Sequence, residues 1–246
     1  MDATAPCKYL EWDSEFFQRR IGRLTESRLT TDVMTRVNEW AARERIDCLY
    51  FLADVNEVNS IRLAEDNGFH CVDIRVTLEH RIDPGSTANN QFAENVRLVK
   101  PEDQPVLSAI SRNNYLNSRF YADPNFPARR VDDMYEVWTQ NSINGQAGAV
   151  LVAEFDKRPV GYITCLLLND GSGNIGLVAV DPNYQGKSIG RALMESSLAW
   201  FRSKKVSSVS IVTQGSNIRA QRLNQKCGFY TKSMQIWFHR WFEASG

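Results

Sequence analysis

The eight residues Gln185-Gly186-Lys187-Ser188-Ile189-Gly190-Arg191-Ala192 concentrate the chemistry this chain can carry. Three readings compete for them. Gly186-Lys187-Ser188-Ile189-Gly190 spells G-x-S-x-G, the sharp turn on which some hydrolases mount a nucleophilic serine. Gly186-Lys187-Ser188 is also the tail of a phosphate loop of the G-x-x-x-x-G-K-S kind. The whole stretch, with small residues leading into a helix, reads equally as an anion cradle. There, converging backbone N–H groups and a helix dipole equivalent to roughly half a unit charge meet a phosphate.

The flanking residues separate the three. Asp181 stands where a phosphate loop needs its first glycine, and Pro182 removes a donor, so acid and proline both oppose phosphate there. The nucleophile turn needs a strand running straight into Gly186, but the apolar run ends near Val180 and Asp181-Pro182-Asn183-Tyr184-Gln185 intervene. Downstream of Ser188 the only acids are Glu195, on the same helix, and Glu243, which follows the one remaining histidine, His239. A serine, acid, histidine set is therefore badly placed. The anion cradle keeps its case, with Lys187 and Arg191 adding charge for a diphosphate and a nearby ribose phosphate.

The elements that must hold this loop are legible around it. Ala149 to Phe155 reads as a buried strand, Val160 to Leu168 as a second, and Ile175 to Val180 as a third, with turns at 156–159 and 169–173. Three strands thus meander antiparallel before a helix begins at Ile189, with Leu193 and Trp200 on its apolar face. Val206 to Val212 then reads as a strand, Asn217 to Cys227 as a helix stopped by Gly228, and Met234 to Phe242 as a last strand. Upstream, 104–114 and 128–144 read as helices joined by an aromatic loop at 118–126.

The first part of the chain repeats the tail of this order. Ile46 to Ala53 reads as a strand and Val55 to Asn67 as a helix stopped by Gly68-Phe69. A strand through Val72, Ile74, Val76 and Leu78 follows and ends at His80-Arg81. Asn217-Ile218-Arg219, Gly228-Phe229 and His239-Arg240 are the matching marks in the second copy. Only that second copy carries the 185–192 loop. Turn formers at 82–92 divide the chain into 1–81, a linker at 82–92, and 93–246.

Bulk properties narrow the function classes. Of 246 residues, 29 are basic and 29 acidic, so nothing favours nucleic acid as a partner. No apolar run reaches membrane-span length, and Asp2, Lys8 and Glu11 interrupt any leader-like start. Cys7, Cys48, Cys71, Cys165 and Cys227 are an odd, scattered set, as expected of a reduced, cytoplasmic protein. The three histidines have no metal-ligand spacing and read as structural or surface groups. Trp12, Trp40, Trp138 and Trp200 read as core.

Val180-Asp181-Pro182-Asn183-Tyr184-Gln185-Gly186-Lys187-Ser188-Ile189-Gly190 resembles the acetyl-CoA loop of the GNAT superfamily of N-acyltransferases, whose pattern is Q/R-x-x-G-x-G/A. Asn217, Ala220, Leu223 and Gly228-Phe229 resemble its second motif, and the order of elements is similar over 93–242. Val212-Thr213-Gln214-Gly215-Ser216-Asn217, Ser118-Arg119-Phe120 and Trp237-Phe238-His239-Arg240 look more narrowly like the dTDP-fucosamine acetyltransferases of cell-surface glycan synthesis, which also have a degenerate N-terminal half. Two positions depart from the pattern: Ser188 stands where glycine is usual, and Asn224 where a tyrosine often protonates the leaving thiolate. An amide cannot serve as that acid.

The resemblance implies an α/β (α+β) GNAT fold with a mixed, mostly antiparallel sheet, plus a smaller GNAT-like N-terminal part. It implies acetyl-CoA as co-substrate, no metal, and direct attack of a neutral amine on the thioester in a ternary complex. The third strand would splay near Leu177-Val178, the Val178 N–H would meet the developing oxyanion, and Val180 would pair with the pantetheine amides. Val178, Ala179, Val180, Gln185, Gly186, Lys187, Ser188, Ile189, Gly190, Arg191, Asn217 and Asn224 would hold acetyl-CoA. Arg119, Phe120, Tyr121 and Asp123 would hold an aminodeoxy nucleotide sugar, the leading acceptor. The base stays open among Tyr121, Asp123, Asp170 and a water chain. Protein N-termini, polyamines or other small amines remain alternative acceptors, and a catalytically inactive CoA-binding module remains an alternative altogether. A homodimer is left open.

Overall fold

The computed structural model describes residues 5–83, 91–112 and 114–242. The expected linker at 82–92 lies largely outside them, as does Glu243.

The first copy comprises β1 (Cys7–Tyr9), α1 (Glu11–Phe17), β2 (Ile21–Leu24), α2 (Thr31–Arg43), β3 (Cys48–Asp54), α3 (Val58–Asp66) and β4 (His70–Arg81). The chain continues through β5 (Val96–Leu98), α4 (Gln104–Ser111), the single turn α5 (Arg119–Ala122) and α6 (Ala128–Asn141). The meander β6 (Ala149–Phe155), β7 (Arg158–Leu167) and β8 (Gly173–Val180) follows, then α7 (Ile189–Ser203), β9 (Ser208–Gln214), α8 (Ile218–Lys226) and β10 (Tyr230–Trp241). The expected elements are all present, and the meander is antiparallel as expected. Boundaries moved where periodicity fades. The helix expected to reach 144 ends at Asn141, where Gly145 at φ 107° closes a wide turn. The loop at 118–126 contains the α5 turn.

One sheet of ten strands runs through the molecule in the order β1-β2-β3-β10-β4-β9-β8-β7-β6-β5, antiparallel except for β2–β3 and β8–β9. The internal repeat keeps one spacing throughout: β3, α3 and β4 recur as β9, α8 and β10, each 160 residues later. The copies have traded strands. β10 pairs with β3 of the first copy, and β4 pairs with β9 of the second. The equivalent residues Arg75 and Gln235 face each other in the central β4–β10 pair, and their side chains share a hydrogen bond of 2.9 Å. The two halves thus form one hydrogen-bonded sheet rather than two.

Alternation along β4 sorts its side chains. Val76 and Leu78 enter the core under α7, with Leu193, Phe201 and Phe229. Asp73 and Arg75 lie on the opposite face, where Tyr50, Phe120, Phe126 and Met134 build a second core beneath α5 and α6. Trp40 and Trp200 are buried as expected, whereas Trp12 is 38% exposed and stacks on Phe16.

Candidate active site

Three strand residues and a loop create the donor side of the site. β8 pairs with β9 only at Gly173, Asn174 and Ile175, after which the two parallel strands part. The parting coincides with a bulge against β7: the register slips between Ile163 and Cys165, and the Leu177 N–H donates to the Thr164 hydroxyl at 2.8 Å. Gly176 is required there, because a Cβ would sit 2.9 Å from Thr164 Oγ1 and Leu166 Cδ1. Beyond the bulge the Asp181 N–H donates to the Val160 carbonyl at 2.8 Å. Bonded and non-bonded pairs alternate in an antiparallel ladder. The pair Tyr162–Ala179 therefore exchanges hydrogen bonds, and the N–H groups of Val178 and Val180 turn away from β7, toward the gap.

The loop after β8 is shaped for an anion. Asp181 does not face it: its carboxylate accepts from the Asn183 N–H at 2.9 Å and caps the turn Pro182–Tyr184. Gln185 ties back to the Val180 carbonyl at 3.1 Å and accepts from Arg219 of α8. Gly186 (φ 82°) and Ser188 (φ 59°) both adopt left-handed backbone. Ser188 makes no side-chain cap and the first turn of α7 holds no acid, so its N–H groups face outward. Lys187 lies over Phe155 and Tyr184, at 4.4 and 5.0 Å from their ring centroids. Arg191 pairs with Glu195 at 2.7 Å, an exposed contact weak enough to exchange for a phosphate. Asn217 caps α8, accepting from the Ala220 N–H at 3.1 Å. Asn224 is 2% exposed, its Nδ2 has no partner, and the equivalent residue in the first copy is the buried Ala64. A buried, unpartnered donor in the helix beside the loop fits a ligand that brings its own acceptor.

The loop at 118–126 is packed more deeply than a surface loop. Phe120 is 3% exposed, and Asp123 is buried and fully engaged. Asp123 accepts from His239 Nδ1 at 2.7 Å, Trp241 Nε1 at 2.9 Å, and the Asn125 N–H and Nδ2 at 3.0 and 2.9 Å. Burial raises its pKa, but these donors outweigh it and hold the carboxylate at about 2. Arg119 can only donate, so His239 Nε2, 2.8 Å away, accepts and the ring proton sits on Nδ1. Burial, together with the charge of Arg119, pushes His239 down from 6.5 to about 4.

That histidine has a measurable consequence. The unfolded state binds a proton at 6.5 that the folded state refuses until about 4, so folding stability falls as the pH drops through this window. The loss reaches about 3 kcal/mol by linkage. Asp73 titrates with the opposite sign nearby, so the check is a difference: chemical denaturation of wild type and His239→Asn at pH 7 and 4.5. Wild type should lose more stability on acidification than the variant.

The remaining expected bases are poorly suited to proton removal. The Tyr121 hydroxyl donates to Asp132, and burial with that partner pushes its pKa well up. Asp170 is exposed in the β7–β8 turn, where the Ser172 hydroxyl and N–H hold its pKa down. Asp73, which sequence patterns do not single out, lines a cavity of about 490 Å³ with Tyr121, Ala122, Asn117, Ile74 and Ser216. Burial raises its carboxyl from 3.8 to about 7, against the pull of the Ile74 and Gly215 N–H groups and of Arg119. Ser216 follows the C-terminal end of β9, the end at which β8 has diverged. The cavity therefore adjoins the gap that Val178 and Val180 face.

No helix is long and apolar enough to cross a membrane, and no metal-binding cluster exists among the described residues. Comparison with known proteins bears on the same segment. Residues 116–229 match the Acetyltransferase (GNAT) family. The spore coat polysaccharide biosynthesis protein SpsD of Bacillus subtilis is 28% identical over 142 residues, which cover 58% of this chain and 49% of that protein. A dTDP-fucosamine acetyltransferase of Escherichia coli is 24% identical, covering 98% of this chain and all of that one. Among solved structures, a GCN5-related N-acetyltransferase from Sphaerobacter thermophilus superposes with a TM-score of 0.67 at 16% identity, over 96% of this chain and 76% of its own, which establishes the shared fold. The segment bearing the splayed strands and the loop is thus the one that matches the GNAT acetyltransferases, a family whose acyl donor is acetyl-CoA.

Proposed function

We propose that the protein transfers an acetyl group from acetyl-CoA to the amine of an aminodeoxy nucleotide sugar, and that Asp73 removes the amine proton. The observation that carries this reading is the position of Asp73: a carboxyl with a pKa of about 7 in the wall of a cavity beside the splayed strands. A base poised near the working pH combines a useful ionised fraction with enough basicity to accept a proton. The names of the Escherichia coli relative, a dTDP-fucosamine acetyltransferase matched along its whole length, and of SpsD, a spore coat polysaccharide biosynthesis protein, support the acceptor class.

Each residue then has a defined role. The first-turn N–H groups of α7, with Gly186, Lys187 and Arg191, bind the diphosphate of the donor, and Val180 pairs with its pantetheine arm. The donor supplies an activated thioester carbonyl. The Val178 N–H donates to the oxygen on which charge develops. Asp73 takes the proton from the amine, the new N–C bond forms, and the C–S bond breaks. Asn224 Nδ2 donates a hydrogen bond to the departing sulfur, whose proton comes from solvent, since an amide cannot release one. Tyr121 keeps its proton and serves as a hydrogen-bond donor at the cavity wall.

Acetyl-CoA turnover measured by thiol release across nucleotide amino sugars, free amino sugars, polyamines and peptide N-termini tests the acceptor. Turnover confined to nucleotide amino sugars is expected. Turnover confined to polyamines or peptides overturns the acceptor class, and CoA binding with no thiol release from any amine overturns the enzyme reading.

A further inference from the structure

Two of the part-buried arginines in the second half of the molecule are matched by acids. Arg97 grips Asp103 and Glu154, each at 2.7 Å, and Arg112 meets Asp133 and Glu136. Arg23, Arg75 and Arg119 differ: among the described residues none of the three has a carboxylate within 4 Å. They are nevertheless gathered at one place. The guanidinium carbons of Arg119 and Arg23 lie 4.3 and 5.0 Å from the centroid of the same ring, Trp237. Arg75 donates to Gln235, two residues before Trp237 on the same face of β10. The register explains the meeting: Arg23 is opposite Tyr50, Tyr50 opposite His239, Trp237 opposite Asp73, and Gln235 opposite Arg75. β2 and β4 of the first copy and the α5 turn thus deliver three guanidinium groups about Trp237 of β10.

We propose that Arg23, Arg75 and Arg119, gathered about Trp237, bind the diphosphate of a nucleotide-activated amino sugar; the proposal rests on the acceptor reading above. The geometry suits this anion. Planar guanidinium forks meet phosphate oxygens in pairs, and stacking on aromatic rings holds the forks in place before the ligand arrives. Arg119 is stacked on Tyr50 and Phe120 as well, each at 4.2 Å. The row also stands in the right place. Arg75 is two residues along β4 from Asp73 on the same face, and Arg119 is two residues from Tyr121, so the phosphates flank the cavity into which the sugar amine points. Of the acids in this field, Asp13 and Asp73 are pushed up by burial, and the ionised Asp123 is spent on His239, Trp241 and Asn125. Burial and mutual repulsion depress Arg23 and Arg75, which is the strain a bound dianion relieves. The first copy, which lacks a donor loop, thereby contributes acceptor recognition.

The diphosphate of CoA is the competing source of the same chemistry, and the assay separates the two. Calorimetric titration with dTDP, inorganic pyrophosphate and CoA is carried out on full-length wild type, Arg23→Gln, Arg75→Gln and Arg23→Lys. Loss of a charge-assisted contact should weaken dTDP roughly 10- to 100-fold in each glutamine variant, with pyrophosphate following the same order and CoA unchanged. Arg23→Lys should recover only part of the affinity, because an ammonium lacks the fork. Unchanged CoA binding also certifies that each variant is folded. Equal dTDP affinity in wild type and both glutamine variants overturns the subsite, as does a loss shared with CoA. If wild type acetylates a nucleotide amino sugar and its KM is indifferent to Arg23→Gln and Arg75→Gln, the subsite fails while the acceptor reading stands. If dTDP binds through the arginines but no nucleotide amino sugar is acetylated, the acceptor reading fails while the subsite stands.

Discussion

Asp73→Asn should lower kcat roughly 10²- to 10⁴-fold, the range of a lost general base, while leaving the affinity for acetyl-CoA unchanged. The wild-type rate should rise with pH through an inflection near 7, where the carboxyl ionises, and the residual rate of the variant should lack that inflection. The same substitution should make the protein more stable. Because the folded-state pKa is raised, from 3.8 to about 7, the carboxyl favours folding at low pH, and that contribution is lost as pH rises through 7. At pH 8 the fold therefore carries an ionised carboxylate it disfavours, and the neutral amide removes the burden. Asp73 is partly solvated, so screening reduces the gain to roughly 1 to 3 kcal/mol. Activity assays across pH, with urea unfolding at pH 8, check both. A variant that is less active and less stable would mark Asp73 as a structural residue, and full activity would remove it from the mechanism.

Asp73 also shows where the sequence stopped being legible. The strand through Val72, Ile74, Val76 and Leu78 is marked by its apolar alternation, and the intervening polar residues look like an ordinary wet face. That face turns inward because β4 crosses into the second copy and is roofed by α5, a pairing between residues far apart in the chain. Local patterns carry no record of that exchange, although the two helix-Gly-Phe-strand units did betray the repeat that makes it geometrically natural. The donor loop was readable because its signals are local: Asp181 and Pro182 before it, glycine at a left-handed position, and a helix beginning at Ile189. Arg119 and Asp123 stood out by residue type, yet only the fold shows Asp123 spent on His239 and Trp241. β1, β2 and β5 are three or four residues long, too short to declare a period. The amphipathic α2, with Val33, Val37 and Trp40 on one side, does carry a helical period in its sequence.

Val178→Pro should lower kcat roughly 10²- to 10³-fold, the cost of removing one oxyanion donor, with little change in the affinity for acetyl-CoA. Proline in a strand ordinarily costs a ladder hydrogen bond. Here the Val178 N–H points away from β7, and β9 has already left β8 after Ile175, so the sheet has no bond at that atom to lose. Val180→Pro is the internal contrast. Its N–H faces the same gap but would pair with the pantetheine arm rather than the reacting oxygen, so its loss should raise the Kd for CoA and move kcat less. Steady-state kinetics with CoA titration on both variants reads the split. If both substitutions weaken CoA alone, Val178 is part of the donor's binding groove and the oxyanion donor lies elsewhere. If Val178→Pro unfolds the chain, the N–H was committed to the sheet and the reading of the gap is wrong. A drop in kcat at position 178 with a rise in Kd at position 180 ties the bulge at Gly176 to catalysis, because that single inserted residue is what turns the Val178 N–H out of the ladder.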